Sequence, residues 1–280
     1  MNRILLVMFT LLTGCFVTKA PAQFTFPTMG SRGAALGGCS VALTDAWSAS
    51  TNIAGLAFQD RSTVGLSIQQ NGMMDGLNYG SLLALLHTPS KGTFALTLDH
   101  FGSSIYHEQR AALSYAMLIA SKQSKHPISL GAQLLYLHSA TEDNYYLPVN
   151  LITFAIGAQI ILSQRSIFGA RIYNPIAYSP DATVAIQIPS MLNIGVCYRF
   201  ADELLGTLEV EKDLYRSPRL RTGLEYCWNN MFLARIGLST GATTFTYGLG
   251  YLQKHFAIDL AMQHHQVLGL TPQLSAYYHF

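Results

Sequence analysis

The sequence predicts an all-β fold: a transmembrane antiparallel up-and-down β-barrel of about 14 strands with a small N-terminal helical plug. Three observations carry this. Apolar and polar residues alternate with a period of two, as at the C-terminus, where Leu270, Pro272, Leu274, Ala276, Tyr278 and Phe280 oppose Thr271, Gln273, Ser275, Tyr277 and His279. Only 11% of residues are charged while 50% are hydrophobic, against about 25% charged in ordinary soluble domains, so a large area faces something other than water. Connections between the alternating segments are by turns short and long, as at the two ends of such barrels.

Two rivals fail. A soluble sandwich also alternates but puts its charges outside; here they share the face opposite the apolar one. A spanning helix needs about 18 unbroken apolar residues, and the best stretch, Leu151 to Leu162, is too short, contains Gln159 and runs into Gln164 and Arg165.

At the N-terminus, Asn2 and Arg3 precede an apolar stretch, Ile4 to Leu12, and then Ala20-Pro21-Ala22, the pattern of a signal peptide over residues 1–22 cleaved before Gln23. Leu12-Thr13-Gly14-Cys15 also reads as a lipobox cut before Cys15, and both routes lead out of the cytoplasm. Cys39, Cys197 and Cys227 then remain, an odd number that gives no disulfide framework. Cys197 and Cys227, on strands with one strand between them, would lie about 9 to 10 Å apart, beyond bridging; a bridge from Cys39 to either stays open. The net charge of +2 gives no reason to expect nucleic acid.

Residues 23–60 are not strand sequence. Small residues dominate from Gly30 to Ala57, and Asp45 and Asn52 are each placed to cap a short helix, as suits a compact plug. The barrel follows over residues 61–280, with strands at 61–70, 79–88, 92–101, 108–120, 127–138, 149–162, 166–174, 190–200, 203–212, 219–228, 231–240, 243–252, 255–264 and 270–280. Each has roughly the ten residues a tilted strand needs to cross the bilayer. With the C-terminus periplasmic, the inner turns are brief, such as Asn229-Asn230, and the outer connections longer. The longest, Pro175 to Pro189, carries Tyr178, Pro180 and Asp181 and is the candidate lid or contact surface. Tyr106, Tyr145, Tyr146, Tyr173 and Tyr215 fall near the outer rim and Tyr198, Phe200, Trp228, Tyr278 and Phe280 near the inner one, as interfacial girdles do. A strand ending on outward Tyr278 and Phe280 also reads as a C-terminal signal for the barrel assembly machinery.

Ala35-Leu36-Gly37-Gly38, Val41-Ala42-Leu43 and Asn52, Ala54-Gly55-Leu56, with Gly30 and Asp45 in the same segment, resemble the opening of the FadL superfamily of outer-membrane barrels, more closely its PorV/PorQ-like branch. The pattern there is A-L-G-G-A-x-V-A-L followed by N-P-A-G-L. The resemblance is specific over residues 30–57 and architectural beyond them, and it implies a 14-stranded barrel with an N-terminal hatch. Ile53 stands where the pattern has Pro, removing a residue pre-shaped for a first helical turn, and Cys39 where Ala or Gly is usual. The chain is short for that family, so its outer loops must be minimal.

The inward charges concentrate on four consecutive strands: Arg199 on the first, Glu203, Glu209 and Glu211 on the second, Arg219, Arg221 and Glu225 on the third and Arg235 on the fourth. Hairpin parity sets Glu209 against Arg221, Glu211 against Arg219 and Glu225 against Arg235. Such a network serves either as a satisfied lumen wall or as a polar constriction to which the plug docks through Arg32 or Asp45. His264 and His265 are adjacent and would point to opposite faces, and no G-x-S-x-G or other local signature is present, so no metal, cofactor or catalytic residue is expected. The expected partners are outer-membrane lipid and the assembly machinery. The PorV/PorQ-like resemblance implies a type IX secretion accessory that handles or tethers secreted proteins, the FadL resemblance an uptake channel for hydrophobic small molecules, and a structural role without transport is the third reading.

Overall fold

The computed structural model describes residues 27–70, 78–89, 91–103, 105–120, 123–142, 148–176, 188–214, 216–241, 244–266 and 269–280. The signal peptide or lipobox, Cys15, Tyr145, Tyr146, Tyr215 and, in the candidate lid, Tyr178, Pro180 and Asp181 lie outside the described residues.

Alternating residues form β1 (Thr63–Gln70), β2 (Asn78–Thr88), β3 (Gly92–Gly102), β4 (Tyr106–Ala120), β5 (Ile128–Thr141), β6 (Val149–Ser163), β7 (Ser166–Tyr173), β8 (Met191–Arg199), β9 (Leu204–Asp213), β10 (Arg219–Trp228), β11 (Phe232–Ser239), β12 (Thr244–Leu252), β13 (Phe256–His265) and β14 (Gly269–His279). Each pairs antiparallel with its sequence neighbours, and β1 pairs with β14, Thr63 opposite His279 and Gln69 opposite Gln273, to close the barrel. Closure matters because an open edge would leave backbone donors and acceptors unpaired in hydrocarbon. Among the described residues no helix is long and apolar enough to cross a membrane; the strands do so instead.

β5 runs to Thr141, past the predicted end at 138, because β4 starts early at Tyr106 and gives Ser139, Ala140 and Thr141 partners. That pairing also shortens the connection expected between Gly102 and His107.

The exposed mid-strand positions are mostly apolar: Leu82, Leu86, Leu113, Ile152 and Leu249 point outward, as does Trp228 near the rim, while the alternate positions are mostly buried. Tyr198, Phe200, Trp228, Tyr278 and Phe280 lie exposed on the outer wall near the C-terminal rim. Tyr173 corrects the outer girdle: it sits at the inward phase of β7 and is buried in the bore. Tyr106 is half-buried, its hydroxyl donating to inward Glu108, so it too turns from lipid.

Inside the barrel lie the helix α1 (Ser31–Ala35) and two 3-10 turns, Ala46–Ala49 and Ile53–Phe58. Side chains of Asp45 and Asn52 accept hydrogen bonds from the N–H groups of Trp47 and Ala54, capping these turns. Gly37 and Gly38, at φ of 73° and 85°, end the first helical stretch in a conformation that side-chain-bearing residues seldom adopt. The bore divides into two sectors. Trp47, Ile53 and Leu56 pack with Leu83, Leu85, Leu135 and Leu137 on the β2–β5 side, whereas α1 faces β11 to β14, whose inward residues include Arg235, Asp259 and Gln273. Ile53, in place of the helix-starting Pro, is fully buried in the apolar sector, where its side chain supplies packing that the ring would not.

Candidate functional site

The N-terminal segment is seated by ion pairs, backbone hydrogen bonds and close backbone approach. Arg32 donates through Nε and Nη2 to the two carboxylate oxygens of Glu225 at 2.8 and 2.7 Å, and through Nη1 to Asp45 at 3.3 Å. Glu225 also accepts from Arg235 Nε at 2.6 Å, and Arg235 Nη1 reaches Asp259 at 2.6 Å. The chain Asp45–Arg32–Glu225–Arg235–Asp259 thus ties plug to wall with alternating charge, so that no member is buried alone. Burial opposes the Arg32 charge, but Glu225 and then Asp45 overrule it and hold the guanidinium protonated well above its usual range. For Asp45 the balance is opposite: burial, only partly offset by Arg32, lifts its carboxyl above the ordinary value.

A second anchor is Glu209, one carboxylate oxygen of which accepts from the backbone N–H groups of Ser40 and Val41 at 2.8 and 2.9 Å. Its other oxygen accepts from Asn193 at 2.8 Å and Arg221 at 3.5 Å. Arg221 donates to the Gly38 carbonyl at 3.1 Å and to Glu211 at 2.7 Å, while Arg219 reaches Glu211 at 3.6 Å. Beside these charges Cys39 is a free, buried thiol, its pKa pushed up to about 12 by burial and by the Glu209 charge. Cys197 and Cys227 are also free, which resolves the open question of a Cys39 bridge.

On the other side Asn52 donates to the carbonyls of Val41 at 2.6 Å and Ala158 at 3.1 Å. Gln159 donates to Val41 and Leu43, and Gln133 to Ala49. The Ala35-Leu36-Gly37 stretch is fixed by Thr246, whose hydroxyl donates to the Ala35 carbonyl at 2.8 Å and accepts from Gly37 N–H at 2.9 Å.

Facing glycines line the wall at this level: Gly131 with Gly157, Gly169 with Gly195 and Gly223 with Gly237. A Cβ on Gly223 would stand 2.7 Å from Leu36 Cβ, one on Gly131 would stand 2.7 Å from Ala54 N, and one on Gly237 would overlap the backbone at Gly37. The wall lacks side chains where the plug passes, so backbone meets backbone. Within the plug, Gly55 has Ser48 and Leu43 where a side chain would be, and Gly30 has the Trp47 ring. Leu56 is fully buried.

Arg199 does not join the charges with which it was grouped: it is exposed at the rim and donates to the Asp202 carbonyl at 3.4 Å, and Glu203 is exposed beside it. Nor do the charges keep to four strands. Asp259 on β13 joins the first network, and Arg110 on β4 pairs with Asp99 on β3 at 2.6 Å. Asp99 and Arg110 face each other in register, so counting across that hairpin reveals the pair. The wall glycines were legible too, as inward-phase Gly residues in mid-strand. Tyr278 and Phe280 stay on the outer wall, Phe280 N–H closing onto the Ser62 carbonyl at 2.9 Å.

Two cavities flank the plug. Above it, where β1, β7 and β9 end, a vestibule of about 400 Å³ is lined by Val41, Asn52, Tyr79, Arg171, Tyr173 and Met191 and by the Glu209–Arg221 cluster. On the outer wall a groove of about 720 Å³ crosses β1 to β6; Leu86, Phe94, Leu113, Leu134, Phe154 and Phe280 rim it, and Ala84, Ala95 and Ala132 floor it. The turn Ile53–Phe58 packs on the inner side of β4, β5 and β6, one sheet thickness behind that floor. The buried apolar cluster includes Tyr173, with Tyr79 and Met191 against it, Ile53, Leu85 and Ala95, and so has members in the lining of both cavities, with the paired sheet between them.

No family model matches this chain, and no curated protein does. Among solved structures it is similar to the P. putida toluene transporter TodX, with a TM-score of 0.65 at 12% identity over 91% of this chain and 98% of that one. The Ralstonia pickettii toluene transporter TbuX gives 0.65 at 13% identity, again over 91% and 98%. The Acinetobacter baumannii outer membrane protein Omp33 gives 0.54 at 9% identity over 79% and 98%. These neighbours are transporters and an outer-membrane protein. At such identities the likeness is one of fold alone: a closed up-and-down barrel of the bacterial outer-membrane type.

Proposed function

We propose that the chain is a plugged uptake channel for small apolar molecules, in which residues 23–60 act as the hatch, residues 61–280 as the barrel and Tyr278 and Phe280 as the signal read during assembly. The observation that carries this reading is the apolar seam between the vestibule and the outer-wall groove. A molecule that prefers hydrocarbon gains along this seam by the burial that drives apolar transfer, and it leaves sideways into lipid rather than downward into water. For this to happen Ile53–Phe58 must shift from behind β4 to β6 and the paired wall there must part, because the turn fills the seam and the ladder from β4 to β6 is continuous.

The likeness to toluene transporters supports uptake over the secretion-accessory role that the PorV/PorQ-like motif implies. So does the position of the apolar concavity, which lies on the lipid-facing wall and not on the outer rim where a secreted protein would dock. The test is the initial rate of toluene entry into cells with a low-permeability outer membrane, carrying the chain or an empty vector. Wild type should raise entry severalfold and Ala132→Trp, which fills the groove floor, should abolish the gain. Equal entry with and without the protein would exclude this function.

A further inference from the structure

Among the described residues, one cation of the vestibule, Arg171, has no carboxylate within ion-pair distance. Each of the vestibule's other charged residues has an opposite partner: Arg110 with Asp99 at 2.6 Å, Arg216 with Asp213 at 3.9 Å, Arg219 with Glu211 at 3.6 Å and Arg221 with Glu211 at 2.7 Å. Glu209 is covered by Arg221, Asn193 and two plug N–H groups. Arg171 has no such partner among the described residues. It stacks over the Tyr173 ring at 5.3 Å, and its Nε is buried without a hydrogen bond.

A second orphan lies beside it. Tyr173 is only 2% exposed, yet its hydroxyl has no partner either. Buried polar groups are nearly always satisfied, and leaving one unmade is costly, so these two adjacent orphans, which share the cavity wall with the unpaired Ser50 Oγ and Gln69 Oε1, mark a place for a ligand. Both are donors, and one is a fork whose geometry suits a carboxylate. The same wall also presents two flat or apolar side chains, Tyr79, which stacks on Phe101 with centroids 4.2 Å apart, and Met191. A volume of about 400 Å³ is ample for a compact ring.

We infer that the vestibule is a binding site for an aromatic carboxylate, its oxyanion held by Arg171 and the Tyr173 hydroxyl and its ring lying against Tyr79 and Met191. The site is read out by binding and not by transport, so it stands or falls separately from the uptake function. Isothermal titration of the detergent-purified full chain with benzoate at low salt should show saturable binding. Benzamide, the same ring without the charge, should bind the wild-type protein at least about tenfold more weakly, and inorganic phosphate more weakly as well. Arg171→Gln should weaken benzoate by about tenfold or more and Tyr173→Phe by a smaller factor. Arg171 holds no ion pair, so its variant keeps the barrel's electrophoretic mobility shift on heating. Absence of saturable benzoate binding, equal binding of benzamide, or an unchanged affinity in folded Arg171→Gln would each overturn the site; phosphate binding as tightly as benzoate would overturn its aromatic character.

Discussion

Arg32 grips Glu225 in a two-point clasp, Nε to Oε2 at 2.8 Å and Nη2 to Oε1 at 2.7 Å, across 193 residues of sequence. The clasp joins the plug to β10, and Arg235 supports its far side. Arg32→Ala should release this anchor while leaving Glu225 neutralised by Arg235. A loss of about 3 kcal/mol follows from breaking a buried pair, at the low end of the usual range because Arg32 keeps 24% of its side chain exposed. The urea midpoint of the folded protein measures it, and an unchanged midpoint would show that the plug is held elsewhere.

Asp45 gives a pH dependence whose sign is fixed by its burial. Its carboxyl holds a proton to higher pH in the folded chain than in the unfolded one, so its contribution to stability falls as pH rises from the ordinary carboxylate value through the raised one. Asp45→Asn keeps an oxygen to cap Trp47 N–H and removes the charge. Urea midpoints from about pH 4 to about pH 8 should nearly coincide at the acid end and separate above it, the variant being the more stable. A variant that grows less stable than wild type with rising pH would mean that the Arg32 pair outweighs the desolvation.

Gly237 is where wall and plug backbones come closest. Gly237→Val would place a side chain in the space of Gly37, at a cost of about 2 kcal/mol or more, and it should unseat the segment before it disturbs the barrel. Trypsin cleavage after Arg32 in the native protein reports unseating: slow in wild type, at least about tenfold faster in the variant. Equal rates would place the plug's hold outside the glycine pairs.

Cys39 is buried and its thiol is lifted to about 12, so little thiolate exists near neutral pH. A maleimide should label Cys39 slowly in the folded protein and promptly in urea. Rapid labelling at Cys39 itself, told apart from the partly exposed Cys227 by peptide mapping, would show that the plug leaves its seat without a trigger.

The strands were legible because lipid outside and a polar bore inside impose a period of two over every crossing, and predicted ends lie within three residues of those found. Hairpin parity places Arg221 across from Glu209 and Arg219 across from Glu211. Parity would also have drawn Tyr173 inward with Gly169 and Arg171; proximity to a rim does not decide which face a residue takes. The Arg32–Glu225 clasp and the Glu209 grip on Ser40 and Val41 were beyond reach, because contacts between plug and wall depend on how a segment without periodicity threads a closed barrel. Orphan donors such as Arg171 and the Tyr173 hydroxyl show only once every neighbour is placed.

The most direct test of the central claim, that residues 27–60 close the bore and leave the wall as the way out, is ion conductance of the full chain in planar lipid bilayers. If the plug seated on Glu225, Glu209 and the glycine pairs seals the bore to hydrated ions, wild type should show no stable conductance steps, and Arg32→Ala should show intermittent ones. Stable pore-like steps from the wild-type protein would contradict the account.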